Sequence, residues 1–259
     1  MQNLMFMFVL LLMPFFFAEA VLGSGKLHGP VRITSATLGY DLQYWIYLPE
    51  KFSKPLPELY ITDGQAYLNS GGMVAVLDDE IQQGNITPIA AIFVDSRNPD
   101  ELTETRRNSE FMCNADYAKF FIGELMPQIS NRWTGADAST RRGVMGVSFG
   151  GINSACFGVM MPGVFQLLIM HSPASSEHLD VVNSLYRAKP RNPSAIFISH
   201  GGRRDNDAAA RRFTQTLEEK GYPLRYLTNN GGHDWENWRP LLDDSLHAFA
   251  GLRAEDQIK

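Results

Sequence analysis

The chain has 259 residues, 44% of them hydrophobic and 20% charged, which supports one sizeable buried core and does not demand two. Its formal net charge of −5, with no run of Lys or Arg longer than a pair, excludes a nucleic-acid surface as the expected partner. Two cysteines, Cys113 and Cys156, are too few for a disulfide scaffold, and a bridge and a pair of buried thiols both remain open.

In chain order, residues 1–20 form an apolar run ending in Ala18-Glu19-Ala20, the small-x-small pattern of a cleaved signal peptide. Export to the periplasm or the outside of the cell is expected, with residues 21–259 forming one domain that has no membrane span after cleavage. Val31 to Leu38 and Asp41 to Leu48 alternate polar and apolar residues around Gly39-Tyr40, which predicts an antiparallel strand pair. Leu59 to Thr62, Ile89 to Val94, Gly143 to Val147, Phe165 to Met170 and Ala195 to Ser199 are short apolar runs suited to strands buried on both faces; Leu224 to Leu227 is a further candidate. Helical periodicity marks Asp116 to Ile129, Ala208 to Lys220 and Leu241 to Phe249. The fold class is therefore α/β, a mostly parallel sheet covered on both sides with an antiparallel pair at one edge. The polar segment Arg97 to Ser109 follows a strand at its carboxyl end, where ligands of open α/β sheets bind; it reads as a site wall or a solvated loop.

The stretch GVMGVSFGG, Gly143 to Gly151, carries a serine from an apolar strand into a helical pattern. G-x-S-x-G is weak alone, but a strand-to-helix turn is the context a nucleophile elbow requires. Gly146 and Gly150 remove side chains that would collide around Ser148, and Gly151 brings the helix close to the sheet. The Phe149 amide and the helix amino end point where an acyl oxygen would become negative. A serine needs a base and an orienting acid, following it in the order acid, then histidine. His233, in NGGHDW between the last strand and the last helix, is favoured over His171, which comes too early, and His200, which reads as a packed residue. In HGGRRDND, Asp205 is the chosen acid with Asp207 kept open, and either also suits a helix start. Asp63-Gly64-Gln65 after an early strand offers the Gln65 amide as the second oxyanion donor.

These residues resemble the esterase family that contains enterochelin (enterobactin) esterases, antigen 85 mycolyltransferases and feruloyl esterases. The likeness runs from about Leu48 onward: Tyr47-Leu48-Pro49, then Leu59 to Gln65 with its D-G-Q turn. Next come Arg107 and Glu110, Cys113-Asn114-Ala115-Asp116, and Glu124-Leu125-Met126-Pro127. Gly146 to Gly151 matches G-x-S-F-G-G, and Gly232-His233-Asp234-Trp235 with Trp238-Arg239 matches the G-H-D-x-x-x-W-R ending. The resemblance implies an α/β-hydrolase fold, Ser148 as nucleophile, His233 as base, Asp205 as acid, and Gln65 and Phe149 as oxyanion amides. It also implies that Arg107 lines the substrate side; an ion pair of Arg107 with Glu110 is the competing reading. Two departures bear on the substrate: no counterpart of the extra amino-terminal domain of the cytoplasmic enterochelin esterases is expected, and a marked basic cluster for a ferric siderophore is lacking from the sequence.

The expected activity is carboxylic ester hydrolysis through an acyl-enzyme, on a small-molecule or glycan-linked ester, with an enterochelin-type siderophore as the first substrate class. A feruloyl or acetyl carbohydrate esterase and an acyltransferase are the alternatives, and a ligand-binding protein on a hydrolase scaffold is the alternative without chemistry. No metal or organic cofactor is expected, since no H-E-x-x-H or close Cys/His spacing occurs.

Overall fold

The computed structural model describes residues 24–202, 204–252 and 258, so the expected signal peptide lies outside the described residues. The strands are β1 (Lys26–Thr34), β2 (Asp41–Leu48), β3 (Glu58–Thr62), β4 (Ala90–Val94), β5 (Arg97–Asn98), β6 (Glu101–Thr105), β7 (Arg142–Val147), β8 (Leu167–His171), β9 (Ala195–Gly201) and β10 (Leu224–Asn229). Eight of them form one sheet in the order β1-β2-β4-β3-β7-β8-β9-β10. β1, β2 and β4 pair antiparallel, and every pair from β4 to β10 is parallel. The structure has the α/β-hydrolase architecture.

Side chains alternate across these strands, so each contributes to two cores. Tyr60, Ile92, Val144, Leu168 and Ile196 face one side, under the helical run 115–134 and the helices Phe149–Met160, Ser176–Ala188 and Asp207–Glu219. Leu59, Ile61, Phe93, Met145, Ile169 and Phe197 face the other, under Met73–Gln82 and Leu242–Ala250. Burial on both faces explains why β3, β4, β7 and β8 read as continuous apolar runs rather than as alternation.

The structure departs from the sequence reading in two places and decides two points it left open. β1 begins at Lys26 and ends at Thr34, because a bulge between His28 and Val31 absorbs Gly29-Pro30 and lets pairing continue upstream. The helices Met73–Gln82 and Ser176–Ala188 were not predicted, although Leu179, Val182 and Tyr186 make a buried stripe at helical spacing in the second. Arg97 to Ser109 is no plain loop: β5 and β6 form an exposed hairpin, followed by a helical turn Arg107–Glu110. Cys113 and Cys156 are disulfide-bonded, with Cα atoms 4.9 Å apart, tying the segment after that turn to the helix Phe149–Met160. Among the described residues, no helix is long and apolar enough to cross a membrane.

Candidate active site

Ser148 sits between β7 and the helix Phe149–Met160 at φ 56°, ψ −120°, a conformation that costs a non-glycine residue about 1–3 kcal/mol. The turn is possible because both flanks are bare. A Cβ on Gly146 would lie 2.2 Å from the Gly150 carbonyl carbon, and one on Gly151 would lie 3.2 Å from Pro173 Cα. The Ser148 amide donates to His171 O at 2.8 Å, which anchors the turn to the end of β8. The first amides of the following helix, Phe149 included, have no intrahelical acceptor, and the helix dipole adds positive potential there.

His233 Nε2 lies 2.9 Å from Ser148 Oγ, and His233 Nδ1 lies 2.5 Å from Asp205 Oδ1. The imidazole is 31% exposed, whereas Asp205 is 1% exposed, so the ring meets solvent and its carboxylate partner does not. β9 and β10 lie side by side in the sheet, and the loops that follow them carry Asp205 and His233 to the same end as Ser148. Gly201 permits this closeness, since a Cβ there would be 2.1 Å from Gly231 O.

The alternatives raised by the sequence fall elsewhere. Asp207 is at the surface, bonded to Arg211 Nε at 2.9 Å, and starts the helix Asp207–Glu219; Asp205 alone of the two reaches the imidazole. His171 is fully buried between Ser199 Oγ at 2.8 Å and Ser245 Oγ at 3.3 Å, and burial pushes its pKa down to about 3. His200 bonds Tyr226 OH at 2.5 Å and Gly201 O at 2.9 Å, the packed role expected of it.

Gln65 lies in the short helical turn Gly64–Ala66 that opens after β3, where amides also lack intrahelical acceptors. The residue with positive φ is Asp63, at 55°, and not Gly64. Gly64 is required instead by proximity, because a Cβ there would be 2.4 Å from the backbone of Phe93 on β4.

Arg107 does not pair with Glu110. Its Nε donates to Asp63 Oδ2 at 2.8 Å, while Glu110 accepts from Tyr40 OH at 2.9 Å. Asp63 also accepts from Ser96 Oγ at 2.7 Å, and Ser96 in turn accepts from Gln65 Nε2 at 3.3 Å. Burial pushes the Asp63 carboxyl above its usual range, and the Arg107 guanidinium and Ser96 hydroxyl pull it partly back. Arg107 is 30% exposed; its guanidinium lies over the rings of Phe111 and Phe149, at 5.9 and 5.8 Å, and faces the cleft with no hydrogen bond from its Nη groups among the described residues.

Ser148, His233, Gln65, Arg107, Trp235 and Trp238 line one open cleft of about 280 Å³. Trp238 is buried edge-on against the His233 ring at 5.1 Å, and Trp235 packs edge-on against Tyr67 and Trp238. Sequence reasoning missed two residues behind the imidazole. Ser172, at φ 46°, donates to Asp205 Oδ2 at 2.5 Å and accepts from Trp238 Nε1 at 2.7 Å. Asn237 Nδ2 donates to Asp205 Oδ2 at 3.0 Å and to Gly232 O at 2.7 Å. The available signal was position: Ser172 directly follows β8, the neighbour of the strand that carries Ser148. Among the described residues, no group of three or more His, Cys, Asp or Glu side chains is placed to hold a metal ion.

The chain is 25% identical over 251 residues to the iron(III) salmochelin esterase of Escherichia coli O6:H1 (strain CFT073), covering 88% of this chain and 59% of that protein. It is 23% identical over 232 residues to the iron(III) enterobactin esterase of Dickeya dadantii (strain 3937), covering 82% and 52%. The chain thus spans little more than half the length of these two relatives. Its fold superposes on the enterobactin esterase FES from Shigella flexneri, solved in the presence of enterobactin, with TM-score 0.75 at 20% identity, covering 88% of this chain and 60% of that one. A ferulic acid esterase shares the fold with TM-score 0.66 at 17% identity, covering 86% of this chain and 97% of that one. Residues 35–249 match the family Esterase, described as "Putative esterase", and on that match the chain belongs to the Esterase family.

Proposed function

We propose that this protein is an exported serine esterase that cleaves carboxylic esters through an acyl-enzyme. The observation that carries the reading is the line Ser148 Oγ, His233, Asp205, with contacts of 2.9 and 2.5 Å, at the carboxyl end of the parallel strands. In this mechanism His233 Nε2 takes the Ser148 proton as Oγ attacks the ester carbonyl. The resulting oxyanion is held by the Gln65 and Phe149 amides, each worth on the order of 3 kcal/mol to the barrier. The alcohol leaves with the proton from His233, and water then repeats the sequence on the acyl-serine. Asp205 orients the imidazole and stabilises its cation without itself taking the proton. Arg107, whose guanidinium is held over Phe111 and Phe149 at the cleft, would anchor a polar or anionic part of the substrate.

An enterochelin-type siderophore ester is the first substrate class, supported by the two relatives, a salmochelin esterase and an enterobactin esterase. A feruloyl or acetyl ester of a carbohydrate is the second reading, favoured by the ferulic acid esterase whose chain is matched over 97% of its length, whereas the siderophore esterases are matched over little more than half. Export rests on the apolar leader with its Ala18-Glu19-Ala20 end and gains support from the Cys113–Cys156 disulfide, a bond that persists in oxidising compartments. The test is a hydrolysis panel of p-nitrophenyl butyrate, enterobactin, methyl ferulate and acetylated xylan with the wild type and Ser148→Ala. The wild type turns over at least the p-nitrophenyl ester, and Ser148→Ala loses several orders of magnitude in kcat while melting normally. Equal rates in the two proteins would reject the assignment.

A further inference from the structure

Asp205 has more hydrogen-bond donors around it than a carboxylate needs merely to be buried. Its Oδ2 accepts from Ser172 Oγ at 2.5 Å, from the Gly201 amide at 2.5 Å and from Asn237 Nδ2 at 3.0 Å, while Oδ1 has His233 Nδ1 at 2.5 Å. The donor directions can be worked out without seeing a hydrogen. The indole Nε1 of Trp238, 2.7 Å from Ser172 Oγ, can only donate, so the serine oxygen is an acceptor there and its single proton is left for Asp205. Asn237 is fixed in the same way: Gly232 O, an acceptor, lies 2.7 Å from Nδ2, and Asn229 Nδ2 donates to Oδ1 at 2.6 Å.

We propose that Ser172 is a positioning residue for the reaction: its hydroxyl, aimed by Trp238, completes with the Gly201 amide and Asn237 Nδ2 the donor set on Asp205 Oδ2. This leaves Oδ1 as the acceptor of the His233 Nδ1 proton, and so holds the imidazole in the tautomer whose Nε2 is free to take the Ser148 proton. Removing the hydroxyl leaves two of the three donors on Oδ2, which loosens the carboxylate and with it the aim of Nε2 at Ser148 Oγ. The inference deepens the serine-esterase reading and rests on it for its kinetic consequence.

A purely structural role would come from the backbone, since Ser172 has φ 46°, in the region where glycine is at ease. Ser172→Gly separates the two. It relieves the backbone and removes the hydroxyl. If the hydroxyl positions Asp205, Ser172→Gly and Ser172→Ala each lower kcat on p-nitrophenyl butyrate about 10–100-fold, with KM within about twofold, because the lost bond is to a charged group that does not touch substrate. In an Asp205→Asn background the same substitution changes kcat less than about twofold, because residues acting as one unit are not additive. Wild-type kcat in Ser172→Gly, or a full extra loss in the Asp205→Asn background, overturns the proposal.

A second measurement compares the wild type with Ser172→Gly. Nitrogen-15 NMR of the two intact proteins at alkaline pH reports which ring nitrogen of His233 carries the proton. The proposal requires Nδ1 in the wild type, with the proton shifted downfield by its contact with Asp205, and a smaller downfield shift or a mixture of tautomers in Ser172→Gly; identical spectra from the two proteins refute it. Failure of Ser148→Ala to lose activity would overturn the esterase reading, whereas the tautomer measurement reports on Ser172 and Asp205 in either case.

Discussion

Gly146→Ala probes the elbow where steric and chemical demands meet. A methyl group at this position would lie 2.2 Å from the Gly150 carbonyl carbon, 2.3 Å from its oxygen and 2.6 Å from its Cα. Ordinary contact begins at 3.4 Å, so the end of β7 and the start of the helix Phe149–Met160 must separate by roughly 1 Å. Overpacking costs about 1–3 kcal/mol where side chains can rotate away. Here every obstacle is backbone, so the expected loss is about 3 kcal/mol, or roughly 6–12 °C in Tm for a chain of this size. Because Ser148 rides on the displaced segment, kcat falls by about 100-fold as well. Gly151→Ala is the control: its methyl group meets Pro173 Cα at 3.2 Å, and the helix-propensity gain of about 1 kcal/mol offsets the crowding. Thermal melts and p-nitrophenyl butyrate turnover read both. A Gly146→Ala protein with wild-type Tm and rate would refute the claim that bare flanks hold the serine.

Two further outcomes follow from the site's surroundings. Glu110 is buried, and desolvation raises its pKa from 4.5 to about 7, with Tyr40 and Arg106 opposing and Asp63 and Asp95 reinforcing. The unfolded chain therefore releases this proton earlier than the folded one, and the stability it contributes is present below pH 4.5 and lost as pH rises through 7. Glu110→Gln should raise stability at pH 8 by up to about 3 kcal/mol and change it little at pH 4.5, as read by urea unfolding at the two pH values. Reduction of Cys113–Cys156, with a sequence separation of 43 residues, should cost about 4 kcal/mol of chain entropy. A dithiothreitol titration followed by a thermal melt measures it, and an unchanged Tm after complete reduction would contradict the expectation.

The parallel strands were legible because burial on both faces leaves a continuous apolar signature, as in AAIFV of β4 and LLIMH of β8. Ser148, His233 and the glycines of the elbow were legible as candidates because a strand-to-helix turn and a glycine-flanked loop before the last helix are chain-local features. What was hidden is non-local. Asp205 is distinguished from Asp207 only when Gly201 and the 229–237 loop close together, and two residues of difference along the chain decide which carboxylate turns inward. The Arg107–Asp63 pair joins residues 44 positions apart, so the nearby Glu110 was the more visible partner in sequence. Ser172 and Asn237 carry no motif; their importance appears only in the list of donors that reach one buried carboxylate.

The central claim is that the Ser148 hydroxyl is activated by His233, and covalent labelling reads it most directly. Intact-mass analysis after treatment with a fluorophosphonate should show one adduct on the wild type, mapped by peptide sequencing to Ser148. Ser148→Ala should remain unmodified, and His233→Ala should label at least about 100-fold more slowly. An adduct on another residue, or labelling of His233→Ala at the wild-type rate, would contradict the account.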